Sequence, residues 1–197
     1  MVQPQDLTDI GGYGASSRTV PARDMKTVLQ SALDRGYPLT LSETEINEWL
    51  GRTLIAKQGG LLAPKVSLNR VWVRLEDGRA EVVMERQIMG KPFTVSMYLK
   101  IDQTDGPKGL QTEVLLHGGS YHASLPKPFV GGRFGQLAVP QGFLKLVLPS
   151  YQKLADCFRD EIRLAFEEMA RIKIEKGRLV LNPRDPAGDL SGLPATF

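Results

Sequence analysis

Phe93-Thr94-Val95-Ser96-Met97-Tyr98-Leu99-Lys100-Ile101 is the stretch that decides the fold. Successive side chains of an extended chain point to opposite faces, so Phe93, Val95, Met97, Leu99 and Ile101 share one side. Thr94, Ser96, Tyr98 and Lys100 share the other. Alternation kept up without a break predicts a strand with one apolar face.

Turn signals bracket this strand, Met89-Gly90-Lys91-Pro92 before it and Asp105-Gly106-Pro107-Lys108-Gly109 after it. Upstream, Ala80, Val82 and Met84 alternate with Glu81, Val83 and Glu85, and Asp77-Gly78 predicts a hairpin ahead of them. Val71, Val73 and Leu75 lie out of phase with Val66 and Leu68 across Asn69, which predicts a bulge near Arg70. Downstream, Leu110, Thr112, Val114, Leu116 and Gly118 continue the period of two. Short strands joined by tight turns pair antiparallel, because parallel neighbours need a long crossover.

Helical spacing flanks the strands. Pro21 suits a helix start, Met25, Val28, Leu29, Ala32 and Leu33 fall on one face, and Gly36 with Pro38 ends it. Ser42 and Glu45 form a capping box ahead of Ile46, Trp49, Leu50 and Leu54, and Gly59-Gly60 closes that second helix. Ser150 is placed to cap the longest helix, with Tyr151, Leu154, Ala155, Phe158, Ile162, Ala165, Phe166 and Met169 facing inward. Ile172 and Ile174, the turn Lys176-Gly177, and Leu179 and Leu181 predict a last hairpin. The class is therefore α+β: an antiparallel β-meander packed with a long C-terminal helix and two N-terminal helices. Residues 1–20, with Gly11, Gly12, Gly14, Ser16 and Ser17, have the composition of a linker or disordered segment. Residues 21–182 form a single domain, and the Pro-, Gly- and Ala-rich 183–197 a flexible tail.

Composition narrows the function classes. A chain of 197 residues with 42% hydrophobic and 24% charged residues is globular rather than disordered. The net charge of +3 is spread without a basic run, so nucleic acid is not an expected partner. The single cysteine, Cys157, leaves no internal disulfide or cysteine metal cluster and reads as a buried structural thiol. No segment approaches the roughly 20 apolar residues of a membrane span. Residues 1–19 have no apolar signal core, so any export signal or anchor is expected outside this chain.

Catalytic and metal patterns are not met. His117 and His122 point to opposite faces of an extended chain and have no third ligand nearby. His117-Gly118-Gly119-Ser120 resembles an esterase oxyanion segment, yet there is no G-x-S-x-G elbow. Gly131-Gly132-Arg133-Phe134-Gly135 lacks the Lys-Ser/Thr of a phosphate loop. Glu81 with Glu85, and Glu167 with Glu168, fit a solvated face. No catalytic residue, metal or cofactor is assigned, and the expectation is a protein that is not an enzyme.

One segment invites a binding role. Across Pro126–Pro149 four glycines, Gly131, Gly132, Gly135 and Gly142, are interleaved with apolar residues. Binding sites are concave and largely apolar, and Phe134, Leu137, Phe143, Leu144 and Val147 are the candidate ligand-binding residues of such a cleft. Ordinary core with the loop that reaches it is the other reading.

Two blocks carry a resemblance. Leu39-Thr-Leu-Ser-Glu-Thr-Glu-Ile-Asn-Glu-Trp-Leu50 and Gly135-Gln-Leu-Ala-Val-Pro140 resemble the corresponding segments of the YpmS-like family, bacterial proteins usually tethered by one N-terminal membrane helix. The order of elements agrees over 39–181. The resemblance implies an extracytoplasmic domain tethered to the membrane, with kinship to tubular lipid-binding folds, and carries no catalytic residues. The expected anchor is absent from this chain, and the helix at 21–35 has no counterpart in the family. The expected function is a non-enzymatic domain at the bacterial envelope that binds lipid or another apolar small molecule. The alternatives are a scaffold or protein-interaction module with a packed interior, and an unrecognised enzyme using His117, Ser120 and His122.

Overall fold

The strand quoted first becomes the spine of the larger of two sheets. In the computed structural model, which describes residues 3–12, 24–57, 66–88, 90–106 and 109–184, this strand runs Lys91–Gly106. Numbered in chain order, the elements are α1 (Met25–Arg35), β1 (Leu39–Ser42), α2 (Glu43–Lys57), β2 (Val66–Glu76), β3 (Arg79–Ile88), β4 (Lys91–Gly106) and β5 (Gly109–Leu116). Then come β6 (Ser120–His122), β7 (Leu125–Phe134), β8 (Leu137–Pro140), a 3-10 turn (Gln141–Leu146) and α3 (Leu148–Cys157). The chain closes with α4 (Arg159–Ile162), a π-turn (Arg163–Glu167), β9 (Arg171–Glu175) and β10 (Arg178–Asn182).

The meander β2-β3-β4-β5 is antiparallel throughout, and its register slips between Leu68 and Arg70, so the bulge sits at Asn69. Gly78 in the first hairpin has φ +75°, a conformation that favours glycine. β4 then has two partners along one edge: β5 along Leu99–Gly106, and β7 along Val95–Met97. A smaller sheet, ordered β1-β10-β9, stands beside the large one. Gln103 on β4 joins them, donating to the Ala170 carbonyl and accepting from the Ile172 amide.

Two apolar cores meet on the inner face. One gathers Leu29 and Ala32 of α1, Leu75 and Ala80 of the first hairpin, Leu164 and Met169, and Leu179 and Leu181 of the small sheet. The other gathers Leu50 and Leu54 of α2 with Val71, Met84, Val95, Val139, Leu144, Tyr151 and Phe158. Ile46, Trp49 and Val73 pack against both.

The capping box forms as expected: the Ser42 amide donates to Glu45, and the Glu45 amide donates to the Ser42 hydroxyl. The same helix closes the outer edge of β2. Asn47 accepts from the Val73 amide and donates to its carbonyl, while Glu43 accepts from the Leu75 amide. Residues four apart on a helix thereby serve residues two apart on a strand, and a sheet edge is blunted.

Three expectations are corrected. Residues 3–12, read as part of a linker, form an ordered strap across the outer face of the large sheet. Leu7 and Ile10 are buried there against Trp72 and Val83. The remaining linker residues, most of the 183–197 tail, Pro21 and Gly59-Gly60 lie outside the described residues.

Second, the irregular segment expected over 126–149 contains β7 and β8. Its glycines mark tight packing: a Cβ on Gly132 would come within 1.9 Å of the Ser96 carbonyl oxygen, and one on Gly131 within 2.6 Å of the Gln141 Cα. Third, the C-terminal helical stretch starts at Leu148, with Ser150 inside its first turn, and breaks at Phe158 (φ −120°, ψ 27°). The break sets the Phe158 ring 5.1 Å from that of Trp49. Beyond it the π-turn widens the coil and buries Leu164 and Ala165.

Candidate functional site

The five candidate residues lie in one continuous ribbon but on two sides of it. Phe134 ends β7 and faces Leu137 across the turn at Gly135, whose φ is +56°. The 3-10 turn follows directly. Its side chains eclipse every third residue, so Gln141, Leu144 and Val147 point inward while Phe143 and Leu146 form an outward line. Leu144 is fully buried in the second core, and Phe134 and Val147 pack against that core. Leu137 is 58% exposed, Phe143 55% and Leu146 77%.

On the inner side Tyr151 is buried in the same core, its hydroxyl 3.0 Å from the Val82 carbonyl oxygen and 2.8 Å from that of Val95. Burial pushes the Tyr151 phenol well above its ordinary pKa, so it stays protonated. An open recess of roughly 670 Å³ lies elsewhere, between β9 and the outer half of β4. Ile101, Ile172 and Ile174 line it together with Lys100, Lys173 and Arg178. Those cations are neutralised locally: Lys100 pairs with Asp102, and Lys173 and Arg178 both pair with Glu175. Hydrogen bonds from Lys173 and Arg178 hold the Glu175 carboxyl below its usual value.

The polar groups of interest do not converge on a reacting centre. His117 stacks on Phe129 at 4.3 Å, and its Nδ1 accepts the Gly119 amide. His122 meets the edge of Tyr121. No group of three His, Cys, Asp or Glu side chains able to hold a metal occurs among the described residues.

The most concentrated polar constellation was not apparent from sequence. Glu81 is fully buried on the outer face and is held by Arg74 Nη1 at 2.5 Å, the Ser96 hydroxyl at 2.5 Å and Gln5 Nε2 at 2.8 Å. Arg74 also reaches Asp9, and the Gln5 amide donates to the Thr94 hydroxyl. Every oxygen of the carboxylate is engaged and the strap covers it. Such a network fastens the strap and has no opening for a substrate.

The exposed ledge of Leu137, Phe143 and Leu146 has a matching charge signature. Residues 114–155 contain no Asp or Glu, and Lys127, Lys145 and Lys153 within them are exposed. That gap in carboxylates, together with threefold spacing in 141–147, is the signal that marks the ledge in the sequence. No helix among the described residues is long and apolar enough to cross a membrane. No family model matches the chain, and comparisons with curated proteins and with solved structures likewise returned no match.

Proposed function

We propose that this chain is a non-enzymatic domain of the bacterial envelope that meets lipid with its surface rather than enclosing it. The observation that carries this reading is the ledge: three large apolar side chains, each more than half exposed, project from a ribbon whose Leu144, Phe134 and Val147 pack against the second core. Exposed apolar groups rimmed by polar ones mark interaction sites, and apolar side chains beside lysines suit the interfacial zone of a bilayer. A resemblance to membrane-tethered proteins supports the same setting.

Magnitudes fit a tethered domain. Full burial of a Leu or Phe is worth about 1.5–3 kcal/mol. Three side chains already partly buried therefore give about 3–4 kcal/mol, which corresponds to roughly millimolar affinity. That is weak for a free protein. On a tethered one the local lipid concentration is comparable or higher, and such contact suffices.

Vesicle flotation tests the proposal. The protein should float with concentrated phosphatidylcholine vesicles, and the Phe143→Asp/Leu146→Asp double variant should stay at the bottom while keeping its circular dichroism and Tm. Equal flotation of the two proteins would overturn the ledge as the contact.

The same exposed ledge also supports a second reading, a protein-interaction module that docks through it. In that case the wild-type protein would not float at all. Solvent extraction followed by mass spectrometry separates both from an enclosed-ligand protein, for which a stoichiometric lipid should be recovered.

A further inference from the structure

The inner face of β3 ends in an electrostatic anomaly. Arg86 follows Met84 on that face and lies between Leu68 of β2 and Phe93 of β4, its cross-strand neighbours. The residue is half-buried. Its Nε is cut off from solvent and has no acceptor among the described residues, and the hydrogen bond made by the guanidinium is a 3.5 Å contact to Met84 Sδ. The Tyr151 phenol is the ionisable group that acts on it, and that phenol is neutral.

Arg74 Nε is likewise buried without an acceptor among the described residues, but the other half-buried arginines of the same strand pair have carboxylate partners. Arg74 holds Glu81 and Asp9, and Arg79 holds Glu76 and the Gly118 carbonyl. Burial pulls the Arg86 pKa down, yet a guanidinium remains charged. A partly desolvated cation without an anion is normally removed or paired.

Its place in the fold says where an anion would come from. Tyr151 lies in the first turns of α3, its amide bonds back to Val147, and it shares a core with Leu144. Arg86 thus sits beside the helix that continues the ledge of Phe143 and Leu146. The flanking ribbon, 114–155, supplies lysines and no carboxylate to compete for the guanidinium.

We infer that Arg86 is the receptor for the phosphate of an anionic phospholipid headgroup at the rim of the ledge. The planar fork of a guanidinium matches phosphate oxygens in pairs, which a lysine cannot reproduce. Apolar contact then supplies depth, the exposed lysines supply attraction, and Arg86 supplies the specific bond. This inference rests on the lipid-surface reading.

The experiment is flotation of the wild-type protein, Arg86→Gln and Arg86→Lys with two sets of vesicles, phosphatidylcholine alone and phosphatidylcholine containing phosphatidylglycerol. Wild type should prefer the anionic vesicles. Arg86→Gln should lose about tenfold of its affinity for them, as expected for a charge-assisted bond, and keep its affinity for the neutral ones. Arg86→Lys should recover only part of the loss. Because Arg86 has no carboxylate partner among the described residues, Arg86→Gln should keep or raise Tm.

Full anionic preference in Arg86→Gln, or a lowered Tm with equal loss on both vesicle types, would overturn the inference and leave the ledge standing. Failure of wild type to bind either vesicle would bring down the lipid-surface reading itself. Sodium phosphate should displace the protein no better than chloride at equal ionic strength. Specific displacement would assign Arg86 to free phosphate and overturn the lipid source.

Discussion

Glu81 shows how much one side chain can hold together. It lies near the start of β3 with no exposure, between a guanidinium, a hydroxyl and the strap's Gln5. Removing one partner of a buried ion pair leaves the other charged and desolvated, which costs about 3–5 kcal/mol. Glu81→Ala should therefore lower stability by about 3 kcal/mol or more in urea titrations, with loosening concentrated at residues 3–12 by amide exchange.

The residue scale is also where sequence reading of the site stopped. Phe134, Leu137, Phe143, Leu144 and Val147 were legible as a segment of interest, since apolar residues among glycines stand out. Their division into buried and exposed sets depends on a 3-10 period, which resembles neither of the two periods that sequence patterns reveal most readily. Arg86 and Glu81 give no sign in sequence of opposite fates, one without an ionic partner among the described residues and one fully engaged, because both are single charges in an alternating strand.

At the scale of elements, alternation and turn chemistry were enough for the meander, its bulge at Asn69 and the capping box of α2. β7 was not legible because its glycines look like those of a loop. Their role is to let two backbones approach. Gly132→Ala should force β7 away from Ser96, since the new methyl carbon would lie 1.9 Å from a carbonyl oxygen that cannot swing aside. The expected outcome is a loss of more than about 3 kcal/mol, or failure to fold. Gly142, in the adjoining 3-10 turn, has open space where a methyl would go. Gly142→Ala should change Tm by no more than about 2 °C, and thermal melts of the two variants side by side check both statements. The long C-terminal helix was readable as a helical region, while its break was not, because Phe158 continues the apolar spacing that a straight helix would use.

For the molecule as a whole, the arrangement is a large sheet covered on its inner face by helices and the small sheet, and crossed on its outer face by the strap. Ten residues with only Leu7 and Ile10 as large apolar side chains among several polar ones read as linker. Their partners, Trp72, Val83, Glu81 and Thr94, are distant in sequence and announce nothing locally. Removing residues 1–12 should expose Trp72, now 1% exposed, and shift its fluorescence to longer wavelength. It should also lower the urea midpoint, since the strap's bonds to Glu81, Thr94 and the Gln136 amide are lost together.

The strap has a consequence for the order of events during synthesis. It leaves the ribosome ahead of everything it docks on: its anchors are Glu43 and Asn47, then Glu81, then Thr94, and finally Gln136, whose amide donates to the Gln3 carbonyl. A contact that distant closes a large loop and cannot form until the far side exists. The strap is thus among the last of these segments to dock, and until the turn after β7 emerges the nascent chain holds it without its full set of partners.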